Sequence, residues 1–187
     1  MKWINNRDEI LRWIGSIGIF YIIVPIAWLL TGRFYKNFIT IDIISKLGQA
    51  QYPLGILLCL FGVFLIYSSF RDQLRLGKGH PFDIIRGLSR PTKILLTNGV
   101  YYWSRNPMNL GDMFLFGGLS IIVNCNGGLI INLPLYYLIV WINSNYLERP
   151  ILIGRFGDEY IEYEKNTSTI IPGLRTLRKL PFKIGSV

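Results

Sequence analysis

Four long runs with almost no charge limit what this chain can fold into. Residues 13–30 are uncharged over 18 positions, about 27 Å as a helix and enough to cross a hydrocarbon layer. Residues 54–70 form a second uncharged run of 17, opened by Pro53. Residues 108–123 carry one acid, Asp112, and residues 129–147 carry none. Between the last two lies Asn-Cys-Asn-Gly-Gly at 124–128, the chemistry of a tight turn. The last two runs therefore predict a helical hairpin. Pro25 predicts a kink of the kind membrane helices tolerate. Residues 32–51 are mixed and read as an interfacial or re-entrant segment.

The composition agrees. Of 187 residues 51% are hydrophobic and only 17% charged, well short of the quarter usual in soluble domains. The expected fold is an all-α integral membrane protein of about four transmembrane helices, with a cytoplasmic loop and tail. Residues 1–70 would hold the N-terminal helices with the interfacial segment, and 71–187 the functional core. The first run is too long for a cleavable signal peptide and lacks a small-residue cleavage pattern. Two cysteines without paired spacing point to neither a disulfide framework nor a metal site. A lone histidine, His80, argues against zinc clusters and His-based triads. His80 itself lies in a Gly/Pro loop and reads as a loop residue before a general base.

The formal charge of +9 could suggest nucleic acid, but in so apolar a chain it is better explained by lipid headgroups and orientation. With four spans, the N-terminus, the 71–105 loop and the tail from 148 share one side. They hold 3, 7 and 7 basic residues, against Arg33, Lys36 and Lys46 on the other. That asymmetry predicts a multi-pass protein with loop and tail in the cytoplasm. The sequon at Asn166-Thr167-Ser168 then lies on the wrong side for glycosylation. Trp3, Trp13, Trp28, Trp103 and Trp141 mostly mark span ends, as an aromatic belt does.

The stretch Gly-Val-Tyr-Tyr-Trp-Ser-Arg-Asn-Pro-Met-Asn-Leu-Gly at 99–111 sits where the loop enters the hairpin. Pro107 suits the first turn of a helix, where its missing N–H would be unpaired anyway. A helix start offers unpaired donors and positive partial charge to a carboxylate or phosphate. Arg105 must snorkel or meet a partner at that depth. The hairpin brings this stretch against residues 148–172. Arg105 and Glu148 then either pair as a clamp or frame a pocket, and spacing leaves both open. Asp112 reads as an interfacial acid near a helix start or as a functional group, and Asn143, Ser144 and Asn145 as pocket lining or as an interface marker.

Three blocks carry a family resemblance: Gly-Lys-Gly-His-Pro at 77–81, ILLTNGVYYWSRNPMNLG at 94–111, and ERPILIGRFGDEYIEYEKNTSTIIP at 148–172. In this order they resemble the isoprenylcysteine carboxyl methyltransferase and phospholipid methyltransferase superfamily, small integral membrane enzymes that use S-adenosylmethionine. The resemblance implies a cofactor loop at Lys93, Ile94, Leu95 and Leu96, followed by Tyr101. It places further cofactor contacts on Asn106, Pro107, Met108, Asn109 and Glu148. Leu95 and Leu96 suit the faces of an adenine, and Tyr101 can stack or donate. Arg105 would fix a carboxylate or phosphate of the acceptor. Tyr160 and Tyr163 share a face at i, i+3 of a tail helix folding back as a lid. No metal is implied. The expected partners are the bilayer and a lipid-like or prenylated substrate, with no nucleic acid.

This chain departs from the family pattern at several places. Asn109 stands for a tyrosine, His80 for a threonine, and Arg149 where a second acid is common. Ser144 occupies the place of a substrate-binding arginine in the eukaryotic isoprenylcysteine enzymes. Methyl transfer is therefore the firmer expectation and the acceptor the open one. The competing readings are a non-catalytic membrane scaffold or lipid-binding protein that keeps the fold, and an NADPH-dependent enzyme like the sterol reductases, whose chains are much longer.

Overall fold

The computed structural model describes residues 18–38, 41–77 and 92–173. Within them every regular element is helical, with no strand. A π-helical turn, Ile19–Ile23, leads into α1 (Val24–Phe34). A 3₁₀ segment, Ser45–Ala50, leads into α2 (Gln51–Arg75). A 3₁₀ turn at Gly99–Tyr102 precedes α3 (Pro107–Ile122). Next comes α4 (Leu133–Ile142), flanked by the π segments Gly128–Asn132 and Asn143–Glu148. The short helices α5 (Arg149–Phe156) and α6 (Asp158–Asn166) close the described chain. Residues 13–17 of the first apolar run, and His80 with most of the 77–81 block, lie outside the described residues.

The helical stretch Ser45–Arg75, kinked at Gly48, is by length and composition apolar enough to cross a membrane, with an 18-residue portion of mean hydropathy 2.1. Its flanks expose Ile56, Leu57, Leu60, Val63, Phe64 and Tyr67. Such a surface costs free energy in water and none in lipid. Ile19–Phe34 and Pro107–Ile122 are shorter apolar helices.

The chain divides into two compact units, Met1–Ile56 with Phe116–Pro134, and Leu57–Leu115 with Leu135–Val187. In the first, the buried Trp28 donates its indole N–H to Ser120 Oγ at 3.0 Å. Its ring lies 5.1 Å from that of Phe116. Asn132 donates to Trp28 O and Thr31 Oγ1 at 2.8 and 3.0 Å, so every polar group that enters this core has a partner of matching sense. Asn126, in the predicted turn, accepts from the backbone N–H groups of Ile43 and Ile44. That bond anchors the segment read as interfacial, and Ile44 beside it is fully buried.

The second unit is built on a cluster of Leu65, Val100, Tyr101, Leu110, Val140 and Ile170. Helices α2 and α3 touch there backbone to backbone. A Cβ on Gly62 would lie 2.6 Å from Gly111 O and 2.7 Å from Leu115 N, and one on Gly111 would lie 2.8 Å from Gly62 O. Small residues at such a crossing let van der Waals contact replace the hydrophobic drive that lipid removes. Gly111, the last residue of the 99–111 stretch, is therefore a packing residue.

Candidate active site

The second unit gathers the start of α3, the end of the α4 run and the tail into one polar cluster. The turn before α3 is held by side chains. Ser104 Oγ accepts from the backbone N–H of Asn106 at 3.0 Å and donates to Thr169 O at 3.3 Å. Pro107 follows at the first helical position and is fully buried. Asn106 turns its amide nitrogen to Ser144 Oγ at 2.8 Å and Thr169 O at 3.0 Å. The first of these bonds closes the hairpin; the second ties the tail to it.

Arg105 is inside the protein, its side chain 8% exposed. It neither snorkels nor meets Glu148. Its Nη1 donates to Glu164 Oε1 at 2.7 Å and to Tyr160 Oη at 2.9 Å, and its Nη2 to Thr169 Oγ1 at 2.6 Å. Its backbone N–H donates to Ser168 O. The guanidinium also sits 5.9 Å from the Tyr160 ring centre, within cation–π range. Arg105 Nε is buried without a partner among the described residues. A buried guanidinium is tolerable only when so paired, which is why the tail folds back to residue 105. Burial pushes the Tyr160 hydroxyl pKa up while Arg105 pulls it down.

Tyr163 donates to Tyr101 O at 2.6 Å, and burial, then the neighbouring Tyr101, raise its pKa. The Tyr160 and Tyr163 rings lie 6.4 Å apart, both buried, as the i, i+3 spacing predicts. The Tyr101 hydroxyl points the other way. It shares a hydrogen bond with Ser69 Oγ at 2.8 Å and accepts from Gln73 Nε2 at 2.5 Å. Burial pushes its pKa up to about 12, against the pull of those two bonds. Gln73 Oε1 is left buried without a partner among the described residues.

Glu148 ends the π segment Asn143–Glu148 and is half-buried. The wider π turn stacks residues five apart, and Asn143 Nδ2 donates to Glu148 Oε1 at 2.8 Å. π turns inside α-helices recur at functional sites. The polar run 143–145 thus divides: Asn143 orients Glu148, buried Ser144 receives Asn106, and Asn145 returns to Trp141 O. Asn109 Oδ1 and Asp112 Oδ2 both accept from Tyr136 Oη, at 3.1 and 3.0 Å. Asp112 is therefore a buried cross-helix acceptor. Met108 is half-buried. Of the expected cofactor loop, Lys93 and Ile94 are exposed while Leu95 and Leu96 are half-buried, Leu96 against the core. Nothing in the sequence marked Ser69, Gln73, Glu164 or Thr169.

The donor set fits S-adenosylmethionine in kind. A half-buried carboxylate steadied by an amide suits ribose hydroxyls or an ammonium, and leucines beside exposed chain suit an adenine face. The Asn106 amide nitrogen and the Tyr101 hydroxyl are both engaged within the protein.

The sequence profile of the phospholipid methyltransferase family matches residues 50–159. A protein-S-isoprenylcysteine O-methyltransferase of Tribolium castaneum is 29% identical over 126 residues, covering 64% of this chain and 41% of that protein. The proteins of the same name from Mus musculus and Homo sapiens are each 30% identical over 128 residues, covering 66% of this chain and 42% of theirs. The chain thus matches about two-fifths of the length of these curated relatives. No solved structure matches it.

Proposed function

The chain belongs to the phospholipid methyltransferase family, and from that membership we propose that it is an S-adenosylmethionine-dependent methyltransferase acting on a lipid-like acceptor at a membrane surface. The observation that carries the reading is the convergence of Asn106, Ser144 and Thr169, which brings the start of α3, the Glu148 end of the π segment and the tail to one place. Prenylated cysteine, the substrate class in the names of the curated relatives, is one acceptor class to test, and a phospholipid-type headgroup the other.

When bound, the cofactor supplies a sulfonium methyl group for in-line displacement by a nucleophile. Such a transfer needs positioning and exclusion of water more than a strong acid or base, and among the described residues no histidine or cysteine stands in this polar cluster. Glu148, steadied by Asn143, would hold the cofactor by its hydroxyls or its ammonium. Lys93, Ile94, Leu95, Leu96 and Tyr101 would hold its adenine side, and Pro107, Met108 and Asn109 in the first turn of α3 would complete the site. Arg105 engages the tail with Nη1 and Nη2, and its buried Nε–H is the donor that remains for an acidic group of the acceptor. On this reading four spans would put loop and tail on the cytoplasmic face, with the cofactor entering from water and the acceptor from the bilayer.

Cofactor binding by the purified protein in detergent is the test. S-adenosylmethionine and S-adenosylhomocysteine are titrated by calorimetry, with NADPH as control and Glu148→Ala beside wild type. Binding of the sulfur cofactors that disappears in a folded Glu148→Ala protein is expected, and justifies screening lipid acceptors. Binding of NADPH alone favours the reductase reading. No binding at all favours a scaffold.

A further inference from the structure

Glu164 lies in the acidic tail helix α6, in a sequence that also offers Asp158, Glu159 and Glu162. Its surroundings set it apart. Asp158, Glu159 and Glu162 are exposed, whereas the Glu164 side chain is 19% exposed and meets two arginines. Oε1 accepts from Arg105 Nη1 at 2.7 Å and from Arg149 Nε at 3.0 Å; Oε2 accepts from Arg149 Nε at 2.9 Å. The other side-chain partners of Arg105, Tyr160 and Thr169, are neutral. Arg149 is 44% exposed, so it has water as an alternative where Arg105 has little.

The chain neighbours of these two arginines give the arrangement its meaning. Arg105 immediately precedes Asn106, and Arg149 immediately follows Glu148. One carboxylate therefore bridges the residues adjoining two proposed elements of the cofactor site, on opposite strands of the hairpin. Charge-assisted bonds of this kind are short, directional and strong when part-buried. Small displacements of a binding group are costly in affinity.

We propose that Glu164 is a positioning residue of the cofactor site, fixing the start of α3 and the Glu148 segment relative to each other through Arg105 and Arg149. It touches no cofactor atom itself. The inference rests on the cofactor reading above and adds a residue that the 99–111 motif does not contain.

The test uses the full chain in detergent. S-adenosylhomocysteine affinity is measured by calorimetry well below the thermal midpoint, for wild type, Glu164→Gln, Glu164→Asp and Arg149→Gln, with the midpoint recorded for each. Expected is a rise in Kd of roughly tenfold or more in Glu164→Gln, a smaller rise in Arg149→Gln, and partial recovery in Glu164→Asp. Wild-type affinity in Glu164→Gln, with or without a lower midpoint, overturns the proposal and leaves the cofactor reading standing. Should Glu164→Gln fail to fold, Arg149→Gln decides, because it leaves the buried Arg105 pair intact; unchanged affinity there overturns the proposal. A wild-type protein that binds no sulfur cofactor overturns the reading and this inference with it.

Discussion

Asn106 and Ser144 lie 38 positions apart in sequence, and their side chains meet at 2.8 Å. Each sits at the polar end of an apolar helical run, so their bond pins the open end of the hairpin, where Thr169 O takes the same amide. Ser144→Ala removes one acceptor and leaves the other. The expected loss is about 1 kcal/mol of stability, read as a small drop in thermal midpoint in detergent. A loss several times larger would mean that Thr169 alone cannot hold the amide.

Arg105→Ala has a heavier consequence, because Glu164, Tyr160 and Thr169 all lose their donor. Breaking a buried ion pair from one side costs roughly 3–5 kcal/mol. The effect should concentrate in the tail: limited proteolysis is expected to cut within residues 158–173 much faster than in wild type. Arg105→Lys should rescue little, since one ammonium cannot reproduce the fork that reaches Glu164 and Thr169 together. Equal cleavage of wild type and Arg105→Ala would show that the tail is held by Tyr163 and Ser104 instead.

The Tyr101 hydroxyl gives a pH signature. Its pKa stands near 12 in the fold against about 10 in an unfolded chain. The folded protein thus keeps a proton that the unfolded chain releases. The associated stability, roughly 2–3 kcal/mol, is fully present below pH 10 and is lost as the pH rises from about 10 to 12. Tyr163, also raised by burial, acts in the same direction. Tyr101→Phe should flatten the fall of stability across this window, whatever its effect on stability at neutral pH. An unchanged slope would mean that other groups govern alkaline unfolding.

Gly62→Ala should be among the most damaging single changes in the second unit. Its new methyl group would meet backbone atoms of Gly111 and Leu115, which cannot rotate away as a side chain can. Overpacking of this kind costs about 1–3 kcal/mol. Ala at Gly154, where no neighbour lies within reach, is the matched control and should leave the thermal midpoint near wild type. Equal midpoints for the two would show that the helices separate without cost.

How far these arrangements could be read in advance depended on what kind of signal each residue carried. Hydropathy placed α2 and α3 to within a few residues, because a run of apolar side chains is a collective signal. The hairpin followed from the turn at 124–128, and with it the meeting of Arg105 with the tail. The partner of Arg105 was another matter. Glu148 is the first charge after the last apolar run, while Glu164 is one acid among several in a polar helix. Residue 164 follows the buried Tyr160 by one helical turn and so shares its inward face, while Glu162 is exposed. Ser69 and Gln73 were hidden for a similar reason: their role depends on the Tyr101 hydroxyl reaching across to α2. Likewise the π turn at 143–148 has no compositional mark, so the stacking of Asn143 on Glu148 was invisible to a count by 3.6.

The contact between Gly62 and Gly111 also works as a depth gauge. Where two backbones touch, sliding one helix past the other by a turn would drive side chains into main chain. Asn106 lies five residues before Gly111, about 7.5 Å along the helix axis, so its height against α2 is set by that touch and not by the lipid around it. A bilayer crossed by α2 would meet this helix pair as one body, to be tilted or matched together. Tyr101, five residues before Asn106, then keeps its level beside Ser69 and Gln73.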